Sequence, residues 1–177
     1  LTLGSSRTDQ TTLSEGTLAM ASGATLDLAK LTLGTNPAKP VSLDLGGATI
    51  NADLTARMPA TVGGAAGGTV AIDNGAITNT ATLRVGNGSL TLGSDAHVTM
   101  NASDERWVCV GGINSANEGL DTIDASLVLD GTSINKSGTE NVFLAIGDFG
   151  SYPSKATMIV KNGGSFKTDN SAYVAQG

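Results

Sequence analysis

Apolar and polar residues alternate along most of this chain in two short phrases that recur. In the first phrase, two apolar residues stand two positions apart, a glycine usually follows, and a third apolar residue comes seven or eight positions after the first. Its six copies begin at Leu18, Leu43, Val70, Leu90, Leu127 and Met158. The second phrase, two alternating apolar residues closed by glycine, occupies residues 31–34, 83–86, 108–111 and 144–147. A period of two is the signature of β-strands, in which every second side chain reaches the buried face.

The spacing of the copies predicts how the strands are arranged. Successive copies of the first phrase begin 20 to 37 residues apart. One core phrase at irregular spacing is typical of a coiled strand array whose loops differ in length, and glycine after a strand permits a tight corner. The pattern therefore predicts an all-β fold, a parallel β-solenoid of about seven coils with about 25 residues in each.

Composition supports narrow coils in place of a central core. The 177 residues include 24 glycines, and only 3% are aromatic. Such a composition suits a solenoid, in which each coil buries its apolar row on its neighbours. We expect a single unit over residues 1–177, with loop insertions near 111–124 and 147–156 and a plain Ala- and Gly-rich loop over 57–68. Both ends interrupt a strand phrase, so we expect a fragment of a longer repetitive protein.

Charge and cysteine usage narrow the classes of partner. The formal net charge is −6, and the ten Lys and Arg residues are scattered along the chain. This argues against nucleic acid as a partner, because binding phosphates requires a basic stripe. Cys109 is the single cysteine, so no disulfide can form within the chain.

Two segments carry a resemblance to a known family. The sequences FLAIG (143–147) and ATMIVKNGGSF (156–166) resemble the strand repeats of autotransporter (type V secretion) passenger domains, and residues 16–20 and 75–79 are similar in style. The resemblance implies a single-stranded right-handed parallel β-helix, displayed on the surface of a Gram-negative bacterium by a C-terminal outer-membrane barrel.

The same resemblance implies a function and partners. Most passengers of this family are adhesins, self-associating factors or toxins, so the implied role is adhesion or cell–cell self-association. The implied partners are a host-surface protein or glycan, or sister passenger molecules. A minority of the family carries protease or esterase domains, but none of their catalytic motifs matches here, so no catalytic residue is carried over.

The sequence also lacks the common catalytic motifs, which agrees with a non-catalytic role. The chain has no Gly-x-Ser-x-Gly, no His-Glu-x-x-His, no phosphate loop and no Cys-x-x-Cys. The only histidine, His97, follows Ser94 and Asp95, but three residues on one short strand and turn do not readily converge into a triad. We therefore predict a surface or corner position for His97, no catalytic residue and no cofactor.

Acidic residues provide the enzymatic alternative. Glu118, Asp121 and Asp124 fall in the segment that interrupts the repeat, and they are weak calcium candidates. Some β-helix enzymes present carboxylates on the side of a coil as acid and base. The alternative function is therefore a fragment of a secreted polysaccharide lyase or glycosidase. Basic residues that would hold an acidic sugar are scarce, since only Arg106 is near, so the pattern favours a solvated acidic loop.

Aromatic residues give the sharpest binding candidate. Aligning the glycine-closed strands puts Thr82, Trp107, Phe143 and Tyr173 in one column, on the opposite face from the apolar pairs. Cys109 shares that face, so we expect a half-covered thiol. Exposed rings would suit sugars or another protein. Alternatively, the rings stack on each other and shield the side of a strand.

Two loops extend this candidate surface. The insertions near 111–124 and 147–156 follow the same strand in successive coils, so we expect them on one side of the solenoid. The predicted binding residues are Trp107, Phe143, Tyr173, Phe149 and Tyr152.

Overall fold

The computed structural model of the chain consists of β-strands and connecting turns. It describes residues 10–34, 39–56, 60–63, 68–72, 81–85, 88–101, 106–111, 123–137, 142–147, 154–168 and 172–174. These residues form seventeen strands and no helix, and so contain no helix with the length and apolarity needed to cross a membrane.

The first nine strands are β1 (Gln10–Leu13), β2 (Gly16–Ala19), β3 (Thr25–Leu33), β4 (Val41–Asp44), β5 (Thr49–Ala56), β6 (Ala60–Gly63), β7 (Gly68–Ile72), β8 (Ala81–Val85) and β9 (Gly88–Gly93). The remaining eight are β10 (Ala96–Asn101), β11 (Arg106–Val110), β12 (Ile123–Asp130), β13 (Ser133–Ser137), β14 (Val142–Ile146), β15 (Ser154–Lys161), β16 (Ser165–Phe166) and β17 (Ala172–Val174).

All strand pairs among the described residues are parallel, and their order repeats. From β6 onward, each strand pairs with the strand three elements further along the chain, as β9 does with β12 and β10 with β13. Strands β3 and β5 are long enough to take part in two rows. The first half of β5 pairs with β7 and its second half with β8.

The pairing produces three rows of strands, which we call ladders. The first ladder is the six-stranded sheet β2-β4-β6-β9-β12-β15. The second ladder contains the first halves of β3 and β5, then β7, β10, β13 and β16. The third contains β1, the second halves of β3 and β5, then β8, β11, β14 and β17. The second and third ladders together form the eleven-stranded sheet.

The core consists of side chains that repeat at one register position in successive strands. In the first ladder Leu43, Val62 and Leu92 are in register, and each is at most 1% exposed. Their neighbours point outward, as Thr61 does. Burying a Leu or Val side chain contributes about 1.5–3 kcal/mol, so each strand is held mainly by the strands before and after it. The prediction of an all-β fold with parallel strands is confirmed.

The two sequence phrases correspond to different ladders. The second phrase is confirmed in the third ladder, where Leu31 and Leu83 each pair with Leu54, and Leu83 pairs with Val108. The first phrase is confirmed in the first ladder for the copies at Leu18, Leu43, Leu90, Leu127 and Met158.

The sequence groups one copy of the first phrase, which begins at Val70, with the wrong ladder. Val70 lies in the second ladder, between Ile50 and Val98. The missing strand of the first ladder is β6, which falls inside the segment 57–68 that was predicted as a plain loop. Its buried apolar residues are only Ala60 and Val62, so β6 is too short and too weakly apolar to be recognised by alternation.

Candidate functional site

Two of the predicted aromatic residues stack on one another. Trp107 in β11 pairs in register with Phe143 in β14. The ring centroids are 4.7 Å apart, and the ring planes are inclined by 15°. Phe143 is 8% exposed. Such stacked pairs contribute about 0.5–1.5 kcal/mol beyond the area they bury. The geometry agrees with the second alternative, in which the rings cover each other.

The predicted column does not extend to its other two members. Tyr173 pairs with Ala145, two positions beyond Phe143. Thr82 falls at a register shift, because Trp107 pairs with Ala81 whereas the next residue of β11 pairs with Leu83. The prediction of one four-residue column is therefore wrong. The predicted alignment matches Gln176, which breaks the apolar pattern, with Ile146. In the structure Ile146 pairs with Val174 instead, so the predicted register is off by two residues.

The face that carries Trp107 is also covered beside the stack. Cys109 and Ala145 pair in register, and each is 1% exposed. Cys109 is buried although it alternates with Val108 and Val110, which belong to the main core. Both faces of β11 are therefore buried at Cys109, and the prediction of a half-covered thiol is wrong. Cys109, Phe143 and Ala145 thus form a second buried layer on the outer side of β11 and β14, and Cys109 and Phe143 have a structural role there.

The remaining aromatic and acidic candidates are placed only in part. Phe149, Tyr152, Glu118 and Asp121 lie outside the described residues. Asp124 is exposed, and its Oδ2 lies 3.6 Å from Nζ of Lys155. An exposed ion pair of this kind contributes little stability. The described ranges contain no group of three or more His, Cys, Asp or Glu residues that could hold a metal ion.

His97 lies on the outer face of the second ladder. It is exposed, as expected of a surface residue, and it pairs in register with Thr69. Among the described residues, strands β13 and β16 continue this polar row with a hydrogen bond of 2.7 Å from Ser165 Oγ to Ser133 Oγ. The surroundings of His97 are thus a row of hydroxyl groups.

An open groove lies where strands of the first ladder end. Its volume is about 390 Å³. Its lining residues are Thr61, Val62, Gly63, Gly93, Ser94, Asp95, Asp130, Gly131 and Asn162. It therefore crosses the ends of β6, β9, β12 and β15. The first and last of these strands are three strand spacings, or about 14 Å, apart. We call it the strand-end groove.

The groove interrupts a column of side chains at the last position of each strand. The register of the first ladder aligns Ala19, Asp44, Gly63, Gly93, Asp130 and Lys161. We call this set the strand-end column. In its middle, two successive strands end in glycine, whereas the strands on either side end in aspartate. The groove is the notch that the two absent side chains leave.

Asp130 forms a charged wall of the groove. Its Oδ1 accepts a hydrogen bond of 2.6 Å from Nδ2 of Asn162, and its Oδ2 lies 3.0 Å from Nζ of Lys161. The hydrogen bond from Asn162 and then the interactions with Lys161 hold the pKa of Asp130 below its ordinary value. The carboxylate is thus ionised and fixed in direction, and its charge is compensated by Lys161.

The backbone around this wall is also fixed. Gly131 adopts a left-handed conformation with φ +75°, and Asn162, one residue after the next paired position, adopts φ 53°. The N–H of Gly131 donates to the carbonyl of Lys161 at 3.0 Å. Thr132, which is 5% exposed, donates its hydroxyl to the carbonyl of Ala96 and ties one corner to the next. Adjacent corners are therefore connected at the backbone and held in register.

Sequence reasoning missed this groove for one identifiable reason. The signal was present, since Gly93 closes a strand in a column where Asp44 and Asp130 are charged. Seeing it requires β6 and its Gly63 in the alignment, and β6 was not recognised. In the sequence, Ser94 and Asp95 stand out only because they lie close to His97.

Comparisons with known proteins give no match to a protein-family model, to a curated protein or to a solved structure.

Proposed function

We propose that this chain is a segment of a right-handed parallel β-solenoid that serves as the surface-displayed passenger of a bacterial autotransporter. Its role is adhesion or cell–cell self-association, and it acts by presenting binding surfaces, without catalysis of its own. Its partners are a host-surface protein or glycan, or sister passengers.

The repeating register is the observation that carries this proposal. Strands three elements apart pair in parallel from β6 to β17, so one strand from each ladder can be taken as one coil. Parallel strands need a crossover connection, and a chain that passes through three ladders in a fixed order provides one in every coil. About seven such coils, as the sequence predicts, form a rod about 34 Å long.

The outer faces of the strands support a binding role. Polar side chains repeat there at the strand spacing, as Thr61 and Thr91 do in the first ladder. Ion pairs also lie on this surface, such as Lys161 with Asp130 and Lys39 with Glu15 at 2.6 Å. A regular polar surface with a groove between coils suits recognition of an extended partner.

Surface display tests the proposal directly. The full-length protein is expressed in a Gram-negative strain that neither aggregates nor adheres, and display is quantified with an antibody. We expect the cells to sediment together or to attach to cultured host cells. Efficient display with neither effect contradicts the proposed function.

A double variant tests the predicted loop surface. Phe149→Ser with Tyr152→Ser changes two predicted binding residues and leaves Trp107, whose stack with Phe143 stabilises the rod. We expect reduced adhesion at equal display. Lys167→Ser, at an exposed position that belongs to none of the predicted binding surfaces, is the control and should adhere normally. Equal adhesion of all three proteins removes the loop from the binding surface.

A further inference from the structure

We infer that the strand-end groove binds a neutral saccharide chain. The inference rests on the proposed function, since it names a ligand class for a binding module. It concerns a site that is distinct from the aromatic residues predicted from the sequence.

The two glycines of the notch have no structural requirement to be glycine. Neither Gly63 nor Gly93 adopts a positive φ. A Cβ atom added at Gly63 would lie 3.8 Å from Cα of Gly93, and one added at Gly93 would lie 3.6 Å from the carbonyl oxygen of Val62. Both are ordinary contact distances. What the two glycines do provide is an open groove, because any larger residue would project into it.

Neighbouring glycines show the contrast. Gly131 has φ +75°, and a Cβ there would lie 2.9 Å from Cβ of Ser94. Gly164 lies so close to backbone oxygens that its Cβ would be 2.7 Å from the carbonyl of Thr132. Those two positions require glycine for the backbone. Gly63 and Gly93 do not, and both lie on the floor of the groove.

The polar groups of the groove match a ligand rich in hydroxyl groups. Thr61 and Ser94 contribute hydroxyls that donate and accept, while Asp95 and Asp130 contribute carboxylates that accept. Saccharide hydroxyls can donate to both carboxylates and accept from the side-chain hydroxyls. A bare floor lets a ligand approach the backbone closely, and the volume falls within the range of small-ligand sites.

Charge selects among saccharides. Lys161 compensates Asp130, but Asp95 has no ion pair within the described part of the chain, so the groove carries a residual negative charge. The whole chain has a net charge of −6. Uronic acids and sulfated sugars would therefore be repelled. A neutral chain lying across the ends of β6, β9, β12 and β15 fits both the charge and the length of the groove.

The test fills the notch without altering the fold. Gly63→Asn and Gly93→Asn place an uncharged side chain where the same column already accepts Asp44 and Asp130. Ala19→Asn makes an equivalent change in the same column outside the groove. Purified 177-residue chains are screened against immobilised short oligosaccharides of glucose, galactose or mannose, and against uronic acid and sulfated oligosaccharides. Affinities are then measured by calorimetry, and folding by circular dichroism.

We expect the unmodified chain and Ala19→Asn to bind a neutral oligosaccharide equally. Gly63→Asn and Gly93→Asn should bind about tenfold more weakly or worse, a loss of about 1.4 kcal/mol, with unchanged circular dichroism. Equal binding by all four proteins, or preference for acidic oligosaccharides, overturns the inference.

Further outcomes separate this inference from the proposed function. Adhesion by displaying cells, without saccharide binding by the purified chain, overturns the groove inference and leaves the proposed function intact. Saccharide binding that the notch variants lose, with displaying cells that neither aggregate nor adhere, supports the groove and contradicts the proposed function.

Discussion

Glycines at the ends of adjacent strands have different roles, and alanine substitutions should therefore change the free energy of unfolding in opposite directions. At Gly131 an alanine must adopt φ near +75°, which costs about 1–2 kcal/mol for an L-residue. Its Cβ would also lie 2.9 Å from Cβ of Ser94, inside the usual carbon contact distance. We expect Gly131→Ala to lower the free energy of unfolding by about 1–3 kcal/mol.

At Gly93 the same substitution should have the opposite sign. The backbone there is not left-handed, and the new Cβ would make an ordinary contact at 3.6 Å. Replacing such a glycine restricts the unfolded chain, which stabilises a protein by about 0.4–1 kcal/mol. The two variants should therefore differ by at least about 1.4 kcal/mol, although each adds one methyl group at a corner of the same ladder.

Two further variants divide the cost at Gly131 into its parts. Gly131→Asn keeps the Cβ contact, but Asn tolerates the left-handed region, as Asn162 does at the next corner with φ 53°. It should lose less stability than Gly131→Ala. Adding Ser94→Gly to Gly131→Ala removes the contact with the Ser94 side chain and leaves the backbone cost, and the single Ser94→Gly completes the double-mutant cycle.

Urea unfolding measures these differences. Circular dichroism follows the strands, and fluorescence follows Trp107, the only tryptophan. Coincident transitions permit a two-state treatment. If Gly93→Ala is as unstable as Gly131→Ala, or less stable, the distinction is refuted between a glycine that the backbone requires and one that only keeps the groove open.

Two other predictions concern single side chains. Hydrogen bonding from Asn162 and pairing with Lys161 lower the pKa of Asp130 in the folded chain, so its contribution to stability is present above the unfolded pKa and disappears as pH falls through the folded value, below about pH 4. Asp130→Asn should therefore reduce the loss of stability in acid-unfolding curves measured from neutral pH downward; identical pH profiles for the two proteins would contradict the role given to this carboxylate. Cys109 is 1% exposed, so a thiol reagent should label it slowly in buffer and rapidly in denaturing urea. Rapid labelling in buffer would show that the second buried layer beside Trp107 opens readily.

Much of the fold could be predicted from local pattern. Alternation identified β12 and β14 directly, because Leu127 and Leu129 alternate with outward-facing residues and a glycine follows each strand. A period of two is a property of the strand itself, so it is visible before any partner is known. The stacking of Trp107 on Phe143 is one of the two alternatives that the sequence predicts, since both residues are three positions before the last apolar residue of their strands.

Register was the part that local pattern could not supply. Tyr173 pairs two positions from its predicted place, Val70 belongs to another ladder, and β6 lies where the sequence predicts a loop. A strand of four residues with one valine has little periodicity, and only its hydrogen bonds to β4 and β9 define it. Loops of unequal length between copies leave the alignment open until strands pair in space.

The candidate groove shows the same division. The sequence by itself determined that the chain forms short apolar strands closed by small residues, since alternation and glycine act within a few residues. Only the tertiary structure placed Gly63 beside Gly93 and lined the resulting groove with Thr61 and Asp130. Gly63 and Gly93, 30 positions apart, and Gly93 and Asp130, 37 positions apart, become neighbours there because parallel strands repeat at about 4.8 Å, and no local signal encodes that spacing.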